Sequence, residues 1–134
     1  MRLSNASTHA VHALTHLAAA GADCRVASHV IAEAAGLPER YLLKVLKPLV
    51  DAGVLRSLKG PNGGYRLARP PKAIALLEVV EAADGPVRGD APPVGAGKDG
   101  AALDGRLQEI CDGAAALVRE RLARVTLAEL ARGK

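Results

Sequence analysis

The sequence predicts a mainly α fold with one small β-hairpin, and three observations carry that prediction. Apolar residues recur at helical spacing in three stretches before residue 52. The alternation Val54-Leu55-Arg56-Ser57-Leu58, the turn Lys59-Gly60-Pro61-Asn62-Gly63-Gly64 and the return Tyr65-Arg66-Leu67 together form the pattern of two strands around a tight bend. From Ala102 to about Val125 an aliphatic stripe then continues at helical spacing, which requires a long helix late in the chain.

Taken in order, the first helix starts at Ser4 or Ser7, either of which can cap it, and runs to about Ala20 before Gly21. Ala10, Val11, Leu14, Leu17 and Ala18 form its apolar side, whereas His9, His12 and His16 fall within one narrow arc on the other. A pair of histidines four apart can grip a transition metal, but no Asp, Glu or Cys shares the arc, so a solvated face is the plainer reading and no metal is expected. A second, shorter helix begins at Ser28, taken as its cap, and stops at Gly36, which tolerates a left-handed backbone. The third starts near Pro38, buries Leu42, Val45, Leu46 and Leu49, and turns Arg40, Leu43, Lys44, Lys47 and Asp51 outward. Pro48 removes one bond from this helix and should kink it beyond its first turns. Gly53 ends it, and the hairpin that follows is made basic by Arg56, Lys59 and Arg66.

Arg69, Pro70 and Pro71 close the hairpin, and Ile74, Leu77 and Val80 set the phase of a short helix that ends at Asp84-Gly85-Pro86. The stretch PVRGDAPPVGAGKDG has the composition of a mobile loop. In the long helix beyond it, Leu103, Leu107, Ile110, Cys111, Ala114, Leu117, Val118, Leu122 and Val125 make a stripe too long for so small a domain to cover. The stripe is expected to bury against a second copy of the chain. Thr126 and Glu129 fit a capping box for a last short helix carrying Leu127 and Leu130. The predicted organisation is therefore residues 1–85, a flexible loop 86–101, and 102–134 as the pairing helix with its short terminal helix.

Charge is unevenly placed. Residues 1–72 hold ten Lys or Arg against four Asp or Glu, whereas residues 73–134 hold eight against ten. A basic half favours phosphate backbone, although scattered surface charge would give the same totals. With two tyrosines and no Phe or Trp there is no stacking platform for single-stranded nucleic acid. Cys24 and Cys111 are too few for a disulfide framework, and His12 and His16 interrupt the one apolar run near the N-terminus, so a reducing cytoplasm and no membrane are expected.

The segments AEAAGLPERYLLKVL, AGVLRSLKGPNGGYRLARPP and TLAEL resemble the Rrf-two family of bacterial winged helix-turn-helix regulators. That resemblance implies a homodimer that binds double-stranded DNA. It places Ser28, Arg40, Tyr41, Leu43, Lys44 and Lys47 of the helix-turn-helix, with Arg56, Lys59, Gly60, Asn62 and Gly63 of the wing, at the DNA. It also implies that the TLAEL segment, with Leu127 and Leu130, packs on the partner subunit beside Leu103, Leu107, Ile110, Ala114, Leu117, Val118, Leu122 and Val125. Family members that bind an iron-sulfur cluster hold it through three cysteines in the loop that corresponds to 86–100; this chain has none there, so no cofactor is expected. Leu43 stands where relatives carry a polar reader, so their base preference does not transfer. No phosphate loop, carboxylate pair or activated nucleophile supports an enzyme. The expected function is a sequence-specific transcriptional regulator on a pseudo-palindromic operator. The alternative is a protein-interaction module that docks a metabolic enzyme and has little DNA binding left, and a regulatory protein or small effector is a further partner in either case.

Overall fold

A computed structural model describes residues 1–132. Helix α1 (Asn5–Ala20) is capped by Ser4, whose Oγ accepts from the amide of Ser7 at 3.0 Å, and Gly21 ends it at a φ of 115°. Helix α2 (Ser28–Ala35) is entered from Ala27, and no side chain caps it. The expected capping role of Ser28 is therefore corrected: Ser28 is the first helical residue, and its hydroxyl donates to the carboxylate of Glu39. Gly36 takes the left-handed conformation that the sequence requires of it.

Helix α3 (Glu39–Asp51) starts one residue after Pro38, which serves as the cap, and it continues through Pro48 to its end. Leu42, Val45, Leu46 and Leu49 are its buried residues, as their spacing predicts. They meet Leu14, Leu17, Ile31, Val54, Leu67 and Ile74 in one core built almost wholly of aliphatic side chains. Such a core holds by close packing of many small contacts.

Strands β1 (Leu55–Leu58) and β2 (Gly64–Leu67) pair antiparallel, Leu55 opposite Leu67 and Ser57 opposite Tyr65. Sequence periodicity missed a further pairing. Val26 and Tyr65 exchange both backbone bonds at 2.9 Å, which ties the wing to the chain just before α2. This contact explains Gly64: a Cβ there would lie 2.5 Å from the carbonyl oxygen of Val26, and its φ is 143°. At Gly63 a Cβ would lie 2.5 Å from the carbonyl oxygen of Leu58.

After a short 3-10 turn (Pro71–Ala73), helix α4 (Leu76–Asp84) buries Val79 and Val80. Glu78 accepts from the amide of Ala75 at 3.0 Å and pairs with Arg69, which also donates to the carbonyl of Ala73 at 2.7 Å. That network fixes the base of the wing to the start of α4. The long helix α5 (Gly97–Ala123) begins at Gly97, five residues before the expected Ala102. The segment before it lies along α5. Ala91 donates to the side-chain oxygen of Gln108 at 3.0 Å, Gln108 donates back to the carbonyl of Gly89 at 3.1 Å, and Gly95 donates to Asp104 at 2.8 Å. A Cβ at Gly89 would sit 2.4 Å from the backbone of Cys111, so strap and helix touch backbone to backbone.

Helix α6 (Leu127–Arg132) turns back along α1. Thr126 caps it by accepting from the amide of Glu129 at 3.2 Å, and Leu76 and Leu127 bond to Val125 and Ile74 across the gap. Among the described residues no helix is long and apolar enough to cross a membrane.

Candidate nucleic-acid interface

The outward face of α3 and the wing share one side of the molecule because Gly53 redirects the chain and β1 follows at once. Arg40, Leu43, Lys44 and Lys47 are exposed on the helix, and Arg56, Lys59, Gly60 and Asn62 are exposed on the wing, with Gly63 half-buried. Between them lies an open cleft of about 380 Å³, lined by Ser28 and His29 at the start of α2, by Leu43, and by Ser57, Gly60 and Tyr65 of the wing. The sequence placed Ser28, Leu43 and Gly60 there. It missed His29 and Ser57, for which only their adjacency to Ser28 and Arg56 gave any signal.

The cations differ in availability. Lys47 is held by Asp51 at 3.1 Å, and Arg66 leans towards Asp23 at 4.0 Å. Arg69 is committed to Glu78, whose bond raises the pKa of the guanidinium; the same bond is the main reason the Glu78 carboxyl lies below its ordinary range. Among the described residues, Arg40, Lys44, Arg56 and Lys59 pair with no carboxylate. Arg56 stands directly opposite Arg66 across the strands, an arrangement that costs stability and concentrates positive charge. The first turn of α2 opens on the same cleft, where the helix carries its partial positive end.

Tyr41 is half-buried rather than displayed with Arg40 and Lys44. Its hydroxyl lies 3.1 Å from Nδ1 of His9, and the two rings meet edge to face at 5.4 Å. The histidine arc is thereby split, since His9 turns to Tyr41 while His12 is exposed. Among the described residues no three His, Cys, Asp or Glu side chains gather to hold a metal.

The stripe on α5 also divides. Leu103, Leu107, Ile110 and Leu117 are 56, 43, 64 and 70 % exposed, and Ala114 is exposed with them. Val118, Leu122 and Val125 are half-buried against their own chain. Leu127, expected on the partner, is only 1 % exposed within its own chain because α6 folds back and inserts it into the core. That expectation is corrected. Leu130 remains 38 % exposed.

A helix-turn-helix with unpaired cations on its second helix, a basic wing beside it and a long helix with an uncovered apolar row define a winged helix-turn-helix transcriptional regulator. The chain belongs to the Rrf2 family, described as an iron-dependent transcriptional regulator, which it matches over residues 3–133. It is similar to the HTH-type transcriptional regulator IscR of Cereibacter sphaeroides, with 32% identity over 112 residues, 82% of this chain and 71% of that protein. It is also similar to protein aau3 of Rhizobium meliloti, with 41% identity over 81 residues, 60% of this chain and 52% of that protein. The chain thus spans about half the length of several curated relatives that it matches. Among solved structures it resembles CymR (YrzC), the global cysteine regulator of B. subtilis, with a TM-score of 0.76 and 27% identity, covering 98% of this chain and 96% of that one. It likewise resembles T. potens IscR, with a TM-score of 0.72 and 26% identity, covering 97% and 85%. The family is one of regulators and not of enzymes.

The family description names iron. Cys24 is exposed in the turn after α1, Cys111 is half-buried on α5 beneath Gly89, and the strap between α4 and α5 holds no thiol. An iron-sulfur cluster is held by several thiolates converging on one place, and these residues do not fit it.

Proposed function

We propose that this protein is a homodimeric, sequence-specific DNA-binding regulator that acts on a pseudo-palindromic operator in the cytoplasm without an iron-sulfur cluster. The observation that carries the reading is the open cleft between α3 and the wing, lined by Leu43, Ser57, Leu58 and Gly60, with the exposed cations Lys44, Arg56 and Lys59 adjacent to those residues in the chain and Arg40 one turn before Leu43, none of the four paired with a carboxylate among the described residues. Arg40 and Lys44 reach base edges or adjacent phosphates in the major groove, Lys47 and Arg56 fix the register on backbone, and Lys59 with the Gly60 to Gly64 turn rides the minor groove. Leu43, exposed between them, contacts a thymine methyl or sugar.

Pairing is supported by the exposed row on α5. Leu103, Leu107, Ile110, Ala114 and Leu117 alternate steps of four and three, the seam of a left-handed helix pair. In an antiparallel pair centred near Asp112, Leu107 meets the equivalent of Leu117, Ile110 meets the equivalent of Ala114, and Arg106 comes beside the equivalent of Glu120. Two reading heads then face one duplex across a two-fold axis.

Selection of short genomic fragments by the reduced, metal-free protein, followed by sequencing, tests the reading. A palindromic motif is expected among the retained fragments. Fragments retained without preference, or retained equally by a Lys44→Ala, Lys59→Ala variant, would remove sequence-specific DNA binding from the function.

A further inference from the structure

We propose that the Tyr41 hydroxyl donates to a DNA backbone phosphate and that His9 is the positioning residue that holds it for this contact, an inference that deepens the DNA-binding reading and rests on it. Tyr41 lies in the first turn of α3, one residue after Arg40 and three before Lys44, both exposed and without a carboxylate partner among the described residues. The Tyr41 side chain is half-buried, with its ring packed against the core at the head of the reading helix. Its hydroxyl is met at 3.1 Å by Nδ1 of His9, a residue from a different helix and 32 positions away. The rings stand at 87° to each other in a T-shaped arrangement.

Hydrogen-bond arithmetic then decides what the pair does. A phenol carries one hydrogen and can accept as well as donate. A phosphate oxygen only accepts, so on DNA the hydrogen of Tyr41 must go to phosphate and its oxygen is left as an acceptor. Nδ1 of His9 must then carry the donor, which imidazole does as the Nδ1–H tautomer or as the cation. His9 therefore aims the phenolic hydrogen away from α1 and towards the incoming strand. The free chain can run the bond in either direction, and phosphate selects one. Phenylalanine at position 9 keeps an aromatic ring against Tyr41 and loses the donor. Asparagine keeps a donor near the place of Nδ1.

The test measures affinity of the full chain for a selected operator and for an unrelated duplex of equal length, over a series of salt concentrations. Tyr41→Phe should weaken both complexes about tenfold, the usual size of a bond to a charged group, with the salt slope unchanged because a neutral donor releases no counterion. Lys44→Ala, in contrast, should lower that slope by about one. His9→Phe should reproduce the loss, add nothing in the Tyr41→Phe background, and be largely restored in His9→Asn, with melting temperatures recorded for each variant to separate binding from folding. The proposal falls if Tyr41→Phe binds as the unaltered chain does, if the two losses add, or if His9→Phe itself lowers the salt slope, which would make His9 a direct charged contact. Should the unaltered chain bind neither duplex, the DNA-binding reading fails; should it bind while Tyr41→Phe binds equally, only this inference does.

Discussion

Single residues in this fold are fixed by backbone approach and by directed bonds more than by size. Gly64 is the sharpest case, since its carbonyl-facing side is already filled by Val26. Gly64→Ala is expected to cost about 2 kcal/mol or more by combining a close contact with an unfavourable φ, and thermal unfolding of the variant measures it. The Arg69–Glu78 pair makes a pH-dependent contribution. Glu78 has its carboxyl lowered by Arg69, so the stability it supplies is fully present above the ordinary carboxylate range and is lost as pH falls below that range through the lowered folded-state value. Both side chains are more than a third exposed, at 36% and 38%, so screening holds the contribution to about 0.5–1 kcal/mol. Urea unfolding of Glu78→Gln beside the unaltered chain should show that gap at neutral pH and a smaller one in acid; an equal gap at both would reject the pair as its source. Residues of this kind were only partly legible in the sequence. The Gly-Gly before Tyr65 signalled a tight turn, but which backbone crowded it depended on Val26, 38 positions earlier.

Among the elements, α3 was the most legible because its buried and exposed residues obey one period, and that period alone places Arg40 and Lys44 outward. The caps of α2 and α3 were read one residue off, since Ser28 and Pro38 satisfy either role locally; at Ser28 the hydroxyl bonds Glu39 of the next helix instead of an amide of its own. Helix α5 was harder. Its sequence shows one broad stripe, whereas the fold uses two faces, one held by its own strap through Gln108 and Asp104 and one left open. No local pattern separates those faces, because the difference lies in which residues another part of the chain reaches. The open face carries a specific expectation. Ile110→Asp, at a site 64 % exposed in the single chain, should leave folding of the chain within about 0.5 kcal/mol while dissociating the proposed dimer, seen as a fall in mass by light scattering. A variant that stays paired would move the interface elsewhere.

At the scale of the whole molecule, two heads related by a two-fold axis should bind two half-sites about one helical turn, roughly ten base pairs, apart. A duplex with one half-site is expected to bind roughly a hundredfold more weakly, since the second head then adds nothing, and titration of the two duplexes by fluorescence anisotropy measures the ratio. Equal affinity for both would argue that each protomer binds alone. The overall order of helices and hairpin was legible in the sequence; the return of the last helix to the first was not, because a six-residue segment with one buried leucine carries too little pattern to announce its docking site. That return has a practical consequence. Leu127 plugs the core that α1, α2 and α3 share, so the reading head is no portable cassette. A fusion that severs the chain after the wing or after α4 would expose the seat of Leu127 and the length of α1 under α6. Grafts of this head onto other assembly modules should therefore carry the chain through Arg132.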